Sequence, residues 1–322
     1  MTRWGILATG HIAARFAEDL RLVPGAELVA VGSRTAETAQ RFAQRHGIPR
    51  AYASWAELAA DADIDVIYVA TPHAAHHEAA LTCLTAGRPV LLEKPFTLDL
   101  ATSTEVIDAA RAAGVFLMEA MWMRCNPLIL RVCELIAEGA IGEVTNVQAD
   151  FGVAGPFPPE HRMRARALGG GALLDLGVYP VSLAHLLLGA PQQVRSWAKL
   201  GPEGTDENTG LLFGYDSGAI ATLSCGMVGA TGLTASITGT SGRIDLPQPF
   251  FRPDGFTVHR AGAEPETIRA ELAGSGYQHE AIEVQRCLAE GLTESPLVPH
   301  SATLEIMALL DDIRAQIGVS YA

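Results

Sequence analysis

Cysteine is scarce and scattered in this sequence: Cys83, Cys125, Cys133, Cys225 and Cys287, with no C-x-x-C pair among them. An odd set without a repeated spacing excludes a disulfide framework and points to a reducing compartment, so a cytoplasmic location is expected. The thiols read as small buried hydrophobes. Basic residues are also in short supply, with 23 Lys and Arg against 36 Asp and Glu and a formal net charge of −13. That balance excludes a duplex-binding surface, and no nucleic-acid partner is expected. A run of about 18 apolar residues is missing too, so no membrane span is expected. Met1-Thr2-Arg3 leads directly into "WGILA" without the apolar region and cleavage site of a signal peptide. Internal repeats and low-complexity segments are absent. What is there suits a folded protein: 48% hydrophobic and 18% charged residues over 322 positions, enough for two domains.

The first 120 residues alternate between short apolar runs and helical segments. Strands are expected at 4–7, 28–31, 66–70, 90–92 and 115–118, and helices at 12–22, 35–46, 54–60, 76–86 and 102–113. Ser54-x-x-Glu57 and Thr102-x-x-Glu105 fit capping boxes, and Gly47, Gly87 and Gly114 stand just past helix ends. Such alternation predicts a doubly wound parallel sheet, an α/β Rossmann domain over 1–120. Beyond it the pattern changes. A helix is expected at 127–138, then strands at 144–153, 194–200, 209–215, 219–227, 233–240 and 255–259, with "YDSGA" and "TSGRI" as hairpin turns. Further helices fit around 169–189, 279–290 and 302–316. Residues 121–322 therefore read as an α+β domain with a large, mostly antiparallel open sheet, whose last helix is able to pack back on the first domain.

Ala8-Thr9-Gly10-His11-Ile12-Ala13 lies between the first strand and the first helix. A dinucleotide fingerprint, G-x-G-x-x-G/A, would place glycine at 8 and 10. Ala8 replaces the first; Gly10, which lets a backbone approach a pyrophosphate, is present, and Ala13 permits close helix packing. The alternative is an ordinary small-residue turn. After the second strand, where NAD-binding folds usually carry an acid for the ribose, stands Ser33-Arg34-Thr35. A guanidinium with hydroxyl donors suits a 2′-phosphate, so the cofactor expected is NADP, with NAD possible; otherwise Arg34 only solvates a helix start.

The run "PVLLEKPFTL" ends a buried strand in Glu93-Lys94-Pro95, and charges at that position need pairing or use. Together "ATPHAAHHEAAL" (70–81), "GRPVLLEKPF" (87–96) and "GGGALLDLGVYP" (169–180) resemble the Gfo/Idh/MocA oxidoreductases over essentially the whole chain. "EAMWMRCNP" and the tyrosine of "DLGVY" resemble the branch with dimeric dihydrodiol and NADP-dependent D-xylose dehydrogenases. The resemblance implies that Lys94 faces nicotinamide and substrate, often with a cis Lys94–Pro95 bond. It implies that Thr71, Pro72, His73, His76 and Glu93 line the cofactor crevice, and that the second domain's sheet forms a homodimer or a larger homo-oligomer. Cys125 and Arg166 depart from the pattern, where relatives more often have Phe and Pro, which alters the expected shape of the substrate pocket.

Oxidation of an alcohol needs a base for the hydroxyl proton. Asp175 and Tyr179 are four apart and share a helix face. The expected catalytic set is Lys94, Asp175 and Tyr179: Tyr179 accepts the proton with Lys94 assisting, and Asp175 orients substrate or lysine. Many family members carry His at the position of Tyr179. The alternatives are a cap or ion pair for Asp175 and interface packing for Tyr179. Trp122, Arg124 and Arg162 are candidates for the substrate wall, against core packing and surface charge. His73, His76 and His77 cluster, but neither His77-Glu78 nor His279-Glu280 completes H-E-x-x-H, and no metal is expected. The activity expected is NADP-dependent hydride transfer with a sugar or cyclic polyol. Carbonyl reduction by NADPH uses the same groups, and a non-catalytic dinucleotide sensor is the alternative outside enzymes.

Overall fold

The computed structural model describes residues 1–321, and its contacts divide them into two compact units. Unit one comprises Met1–Cys125 and Ala273–Leu304; unit two comprises Asn126–Leu272 and the residues from Glu305 onward.

Unit one is built on a six-stranded parallel sheet. Its strands are β1 (Thr2–Leu7), β2 (Ala26–Gly32), β3 (Arg50–Tyr52), β4 (Val66–Val69), β5 (Val90–Glu93) and β6 (Leu117–Ala120), in the order β3-β2-β1-β4-β5-β6. That order is the doubly wound Rossmann arrangement, which reverses between β1 and β4 and opens a crevice at the carboxyl ends there. β4 and β5 are buried at every residue, as strands covered on both faces must be. Between the strands run α1 (His11–Leu20), α2 (Ala36–His46), α3 (Trp55–Ala60), α4 (His76–Thr85) and α5 (Leu100–Ala113). Gly47 and Gly114 close α2 and α5 in the left-handed conformation, at φ 68° and 64°. Ser54 caps α3 by accepting the Glu57 N–H, as its motif predicts. The Thr102 box does not form. Asp99 caps instead, because its carboxylate accepts both the Thr102 N–H (2.8 Å) and the Thr102 hydroxyl (2.7 Å), and α5 starts two residues earlier. Glu105 turns outward to His77, 2.8 Å away. α8 (Gln278–Ala289) returns to this unit, where Asp19 of α1 accepts the backbone N–H groups of Ser275 and Tyr277.

Unit two opens with α6 (Pro127–Ala137), capped by Asn126, whose carbonyl accepts the Leu128 N–H. Its eight-stranded sheet runs β14-β13-β12-β11-β7-β10-β9-β8. The strands are β7 (Val144–Gly152), β8 (Gln193–Leu200), β9 (Asp206–Gly214), β10 (Ile220–Gly226), β11 (Ala235–Gly239), β12 (Gly242–Leu246), β13 (Gly255–Arg260) and β14 (Glu266–Arg269). β7 and β10 pair in parallel, the other neighbours antiparallel. Both expected hairpin turns are present, joining β9 to β10 and β11 to β12. In β9 and β10, Leu211, Phe213, Ala221, Leu223 and Cys225 are buried and alternate with exposed Leu212, Ile220 and Thr222. That period of two marks a sheet with one covered and one open face. The helix expected at 169–189 begins at Leu173 with a π-helical turn, Leu173–Gly177, and continues as α7 (Val178–Leu188) against β7 and β10. An 18-residue window within Arg166–Leu188 is apolar enough to resemble a membrane span, yet 83% of it is buried in the fold; its hydropathy is that of a core helix. α9 (His300–Ile317) closes the chain.

Candidate active site

The carboxyl edge of the parallel sheet collects the first group of candidate residues, because every strand of that sheet points the same way. After β1 the chain turns through Ala8, at φ 103°, and Gly10 becomes the N-cap of α1. No side chain caps this helix, and its first turn carries no acid. A Cβ built on Gly10 would meet nothing within 4 Å. The turn thus presents helix N–H groups at an open surface, with exposed His11 beside half-buried Thr9 and Ile12. Such a cradle fits a pyrophosphate. Ala8 holds the turn without glycine's freedom, a conformation that costs roughly 1–2 kcal/mol in an L-residue.

At the end of β2, Ser33 is buried and its hydroxyl lies 2.7 Å from that of Thr38, which in turn lies 2.8 Å from the Thr35 hydroxyl. This chain of hydroxyls fixes the loop while Arg34 stays exposed. No acid replaces it at the strand end.

The β5 end explains the charged run. Glu93 is 4% exposed; the Tyr68 hydroxyl donates to one carboxyl oxygen, and the Lys94 N–H donates to the other at 3.0 Å. Burial raises the Glu93 carboxyl, while the Lys94 charge and the Tyr68 hydroxyl pull it back down. Glu280 is fully buried nearby with no hydrogen-bond partner on either oxygen. Burial, then the proximity of Glu93 and Asp19, drives it well above the usual carboxylate range. Of the two buried acids Glu280 is driven the further up, because Glu93 has donors on both oxygens and Glu280 has none. Lys94 is half-buried, and the Lys94–Pro95 bond is cis.

The loop after β4 contributes Thr71 and His73, both buried, and exposed Pro72. Of the three clustered histidines, His77 pairs with Glu105, while His73 meets His76 edge-on at 5.7 Å and His76 is enclosed with its ring nitrogens on backbone carbonyls. Past β6, a 3-10 turn (Trp122–Cys125) buries Trp122, whose ring lies 4.5 Å from Tyr277, and buries Arg124 near Glu119.

In unit two, Arg162 donates to Asp175 at 3.0 Å; the arginine is 55% exposed and the aspartate 4%. Asp175 sits in the π-helical turn, a distortion frequent at functional sites. Tyr179 follows in the first turn of α7, its ring 5.0 Å from Phe251 and 5.4 Å from Phe151. The glycine run before it has a local cause. Gly171 adopts φ 128°, and a Cβ there would come within 2.5 Å of the Asp206 carboxylate. Asp206 is 1% exposed and accepts the Leu173 N–H (2.7 Å) and the Thr209 hydroxyl (2.8 Å), so it caps the turn that carries Asp175. Tyr321 donates to the Gly170 carbonyl from the chain's far end. Neither partner has a spacing signal in the sequence.

Two family models match this chain. One, described as "Oxidoreductase family, NAD-binding Rossmann fold", spans 2–121, and the GFO/IDH/MocA C-terminal domain spans 129–245. The chain belongs to the Gfo/Idh/MocA oxidoreductase family. It is similar to the trans-1,2-dihydrobenzene-1,2-diol dehydrogenases of Xenopus laevis, 37% identical over 99% of both chains, and of Bos taurus, 34% identical over 99% of this chain and 98% of that one. Among solved structures it resembles KijD10, a 3-ketoreductase from Actinomadura kijaniata in complex with NADP and TDP-benzene, at TM-score 0.87, 27% identity and 98% coverage of both chains. The fold also matches an aldose-aldose oxidoreductase from Caulobacter crescentus at TM-score 0.89 and 23% identity, covering 98% of this chain and 97% of that one.

Proposed function

We propose that this protein is an NADP-dependent dehydrogenase of a sugar, cyclic polyol or related diol. The observation that carries the reading is the sheet edge, which holds an uncapped helix N-terminus over Gly10, an exposed Arg34 and, two strands away, Lys94. Ala8, Thr9, Gly10, His11 and Ile12 would hold the pyrophosphate, with Ser33 and Arg34 on the 2′-phosphate. The nicotinamide, when bound, supplies hydride acceptance or donation. The protein's own residues manage the proton. Tyr179 accepts it from the substrate hydroxyl, its ring held by Phe151 and Phe251. Lys94, whose backbone N–H is fixed by Glu93, would assist that proton transfer. Asp175, oriented by Arg162, would hold a substrate hydroxyl, and Trp122 and Arg124 are further candidates for substrate contact.

The relatives' names support the donor class: dihydrodiol dehydrogenases in animals and a 3-ketoreductase among structures. The second of these favours a second reading, carbonyl reduction by NADPH at the same groups. We assign the cofactor to unit one and self-association to unit two. The open face of its sheet presents Trp197 at 72% exposure with Leu212 and Ile220, an apolar stripe suited to a second copy of the chain.

The test is NADP reduction across aldoses, inositols and trans-dihydrodiols, with Lys94→Met beside wild type and the NADPH-dependent direction run on the corresponding carbonyls. Turnover that disappears in the variant while NADPH binding persists is the expected result. Undiminished turnover in Lys94→Met would remove the mechanism.

A further inference from the structure

His76 is the first residue of α4, and none of its surface is exposed. Its Nδ1 lies 2.8 Å from the Pro95 carbonyl oxygen and its Nε2 lies 2.9 Å from the Thr71 carbonyl oxygen. The two carbonyls belong to different loops. Thr71 follows β4, at the edge of the crevice where the strand order reverses, and Pro95 follows Lys94 at the end of β5. The ring therefore spans the gap between the cofactor side and the lysine side of the sheet edge. A side chain with both nitrogens occupied by main chain is not available to touch a ligand. It stands behind the crevice.

We propose that His76 is a positioning residue, a buried cross-tie that fixes the Lys94–Pro95 turn against the Thr71–Pro72 turn and so sets where the lysine stands relative to the cofactor. The inference rests on the assignment of Lys94 made above. The far end of the lysine loop is fixed separately: the Thr97 hydroxyl donates to the Asp99 carbonyl at 2.8 Å and lies 2.6 Å from that of Ser103, while Asp99 caps α5. Glu93 holds the near end through the Lys94 N–H. His76 supplies the lateral restraint between them, and without it one of the two carbonyls loses its buried donor and the other loses the ring that packs beside it. Only an imidazolium donates at both nitrogens, yet burial, and after it His73, pushes this ring down to about 3. At neutral pH it therefore donates to one carbonyl while packing against the other, and a conservative replacement need only supply one donor of similar reach.

The sequence makes a direct test possible, because Lys94 and Lys199 are its only lysines. Lys199, paired with Glu207 at 3.0 Å and 64% exposed, serves as an internal reference. Acylation with an N-hydroxysuccinimide ester, followed peptide by peptide by mass spectrometry, gives a Lys94-to-Lys199 rate ratio without any substrate. In His76→Ala this ratio should change at least threefold, and NADPH affinity by fluorescence should weaken several-fold. Added imidazole should return both toward wild type, and His76→Gln should lie between. His77→Gln, which alters the neighbouring surface histidine, should change neither. If His76→Ala does not fold, His76→Gln decides on the same two readings. A labelling ratio equal to wild type in a folded His76 variant overturns the proposal. That ratio judges the cross-tie even if Lys94→Met keeps its turnover, an outcome that would instead remove the catalytic assignment of Lys94.

Discussion

Replacing Glu119 with Gln should change how stability responds to pH, by an amount the structure sets. Glu119 lies in β6, 3% exposed, with the Thr303 hydroxyl donating to one oxygen at 2.8 Å and no partner on the other. Burial raises its carboxyl from 4.5 to about 7, and the Thr303 hydroxyl and the Arg124 charge only partly oppose this. The direction of the consequence follows from proton counts. Below about pH 4.5 both native and unfolded chains hold the proton, and the residue contributes nothing to the pH dependence. Between about 4.5 and 7 the unfolded chain releases its proton while the native state keeps it, so stability falls as pH rises. At about 1.4 kcal/mol per unit, the loss reaches about 3 kcal/mol near pH 7 and is then constant. Glutamine keeps an oxygen for Thr303 and does not titrate. The unfolding free energy of Glu119→Gln minus that of wild type should therefore rise by about 3 kcal/mol from pH 4.5 to pH 8. Urea unfolding of both proteins at matched pH measures that difference, in which acids that do not interact with Glu119 cancel. A difference that stays level, or falls with pH, refutes the argument.

Other perturbations test the remaining parts of the site. Arg34→Ala should weaken NADP about 10- to 100-fold, the worth of charge-assisted bonds to a phosphate, and NAD less than threefold; equal losses in calorimetric titration would remove the 2′-phosphate assignment. Ala8→Gly relieves the residue at φ 103° and should raise the melting temperature by about 1–3 °C, the strain outweighing the entropy of the added glycine; a lower melting temperature would contradict it. Tyr68→Phe removes a donor from Glu93 and so raises that carboxyl further. The acid limb of turnover should then move to higher pH, and an unmoved limb would show that Glu93 ionisation does not matter to the reaction.

Much of the fold is legible in the sequence because its signals are local. The strands of unit one announce themselves as apolar runs, and Gly47, Gly87 and Gly114 mark helix ends where a positive φ is needed. The strand-end positions of Gly10, Arg34 and Lys94 follow from the same punctuation. What is hidden depends on distant partners. β3 has three residues, too few for a period, and β14 is polar at the sheet edge. Asp99 outcompetes Thr102 as a cap because its carboxylate serves two donors at once. The π-helical turn at Leu173 depends on Asp206, 33 residues away, and Asp19 is satisfied by N–H groups more than 250 residues distant. Glu280 looks like an ordinary first-turn acid until its burial beside Glu93 is seen.

The loops at the sheet edge differ in their independence. The loop bearing Arg34 is fastened to its own helix through Ser33, Thr35 and Thr38, and its hydroxyl ties reach no other loop. The loops bearing Thr71 and Lys94 share one histidine. Nucleotide preference can therefore be exchanged by transplanting a few residues after β2, and directed evolution should find such variants readily. Changes near Thr71 or Lys94 will instead have to arise in pairs, because a shift in one loop is passed to the other.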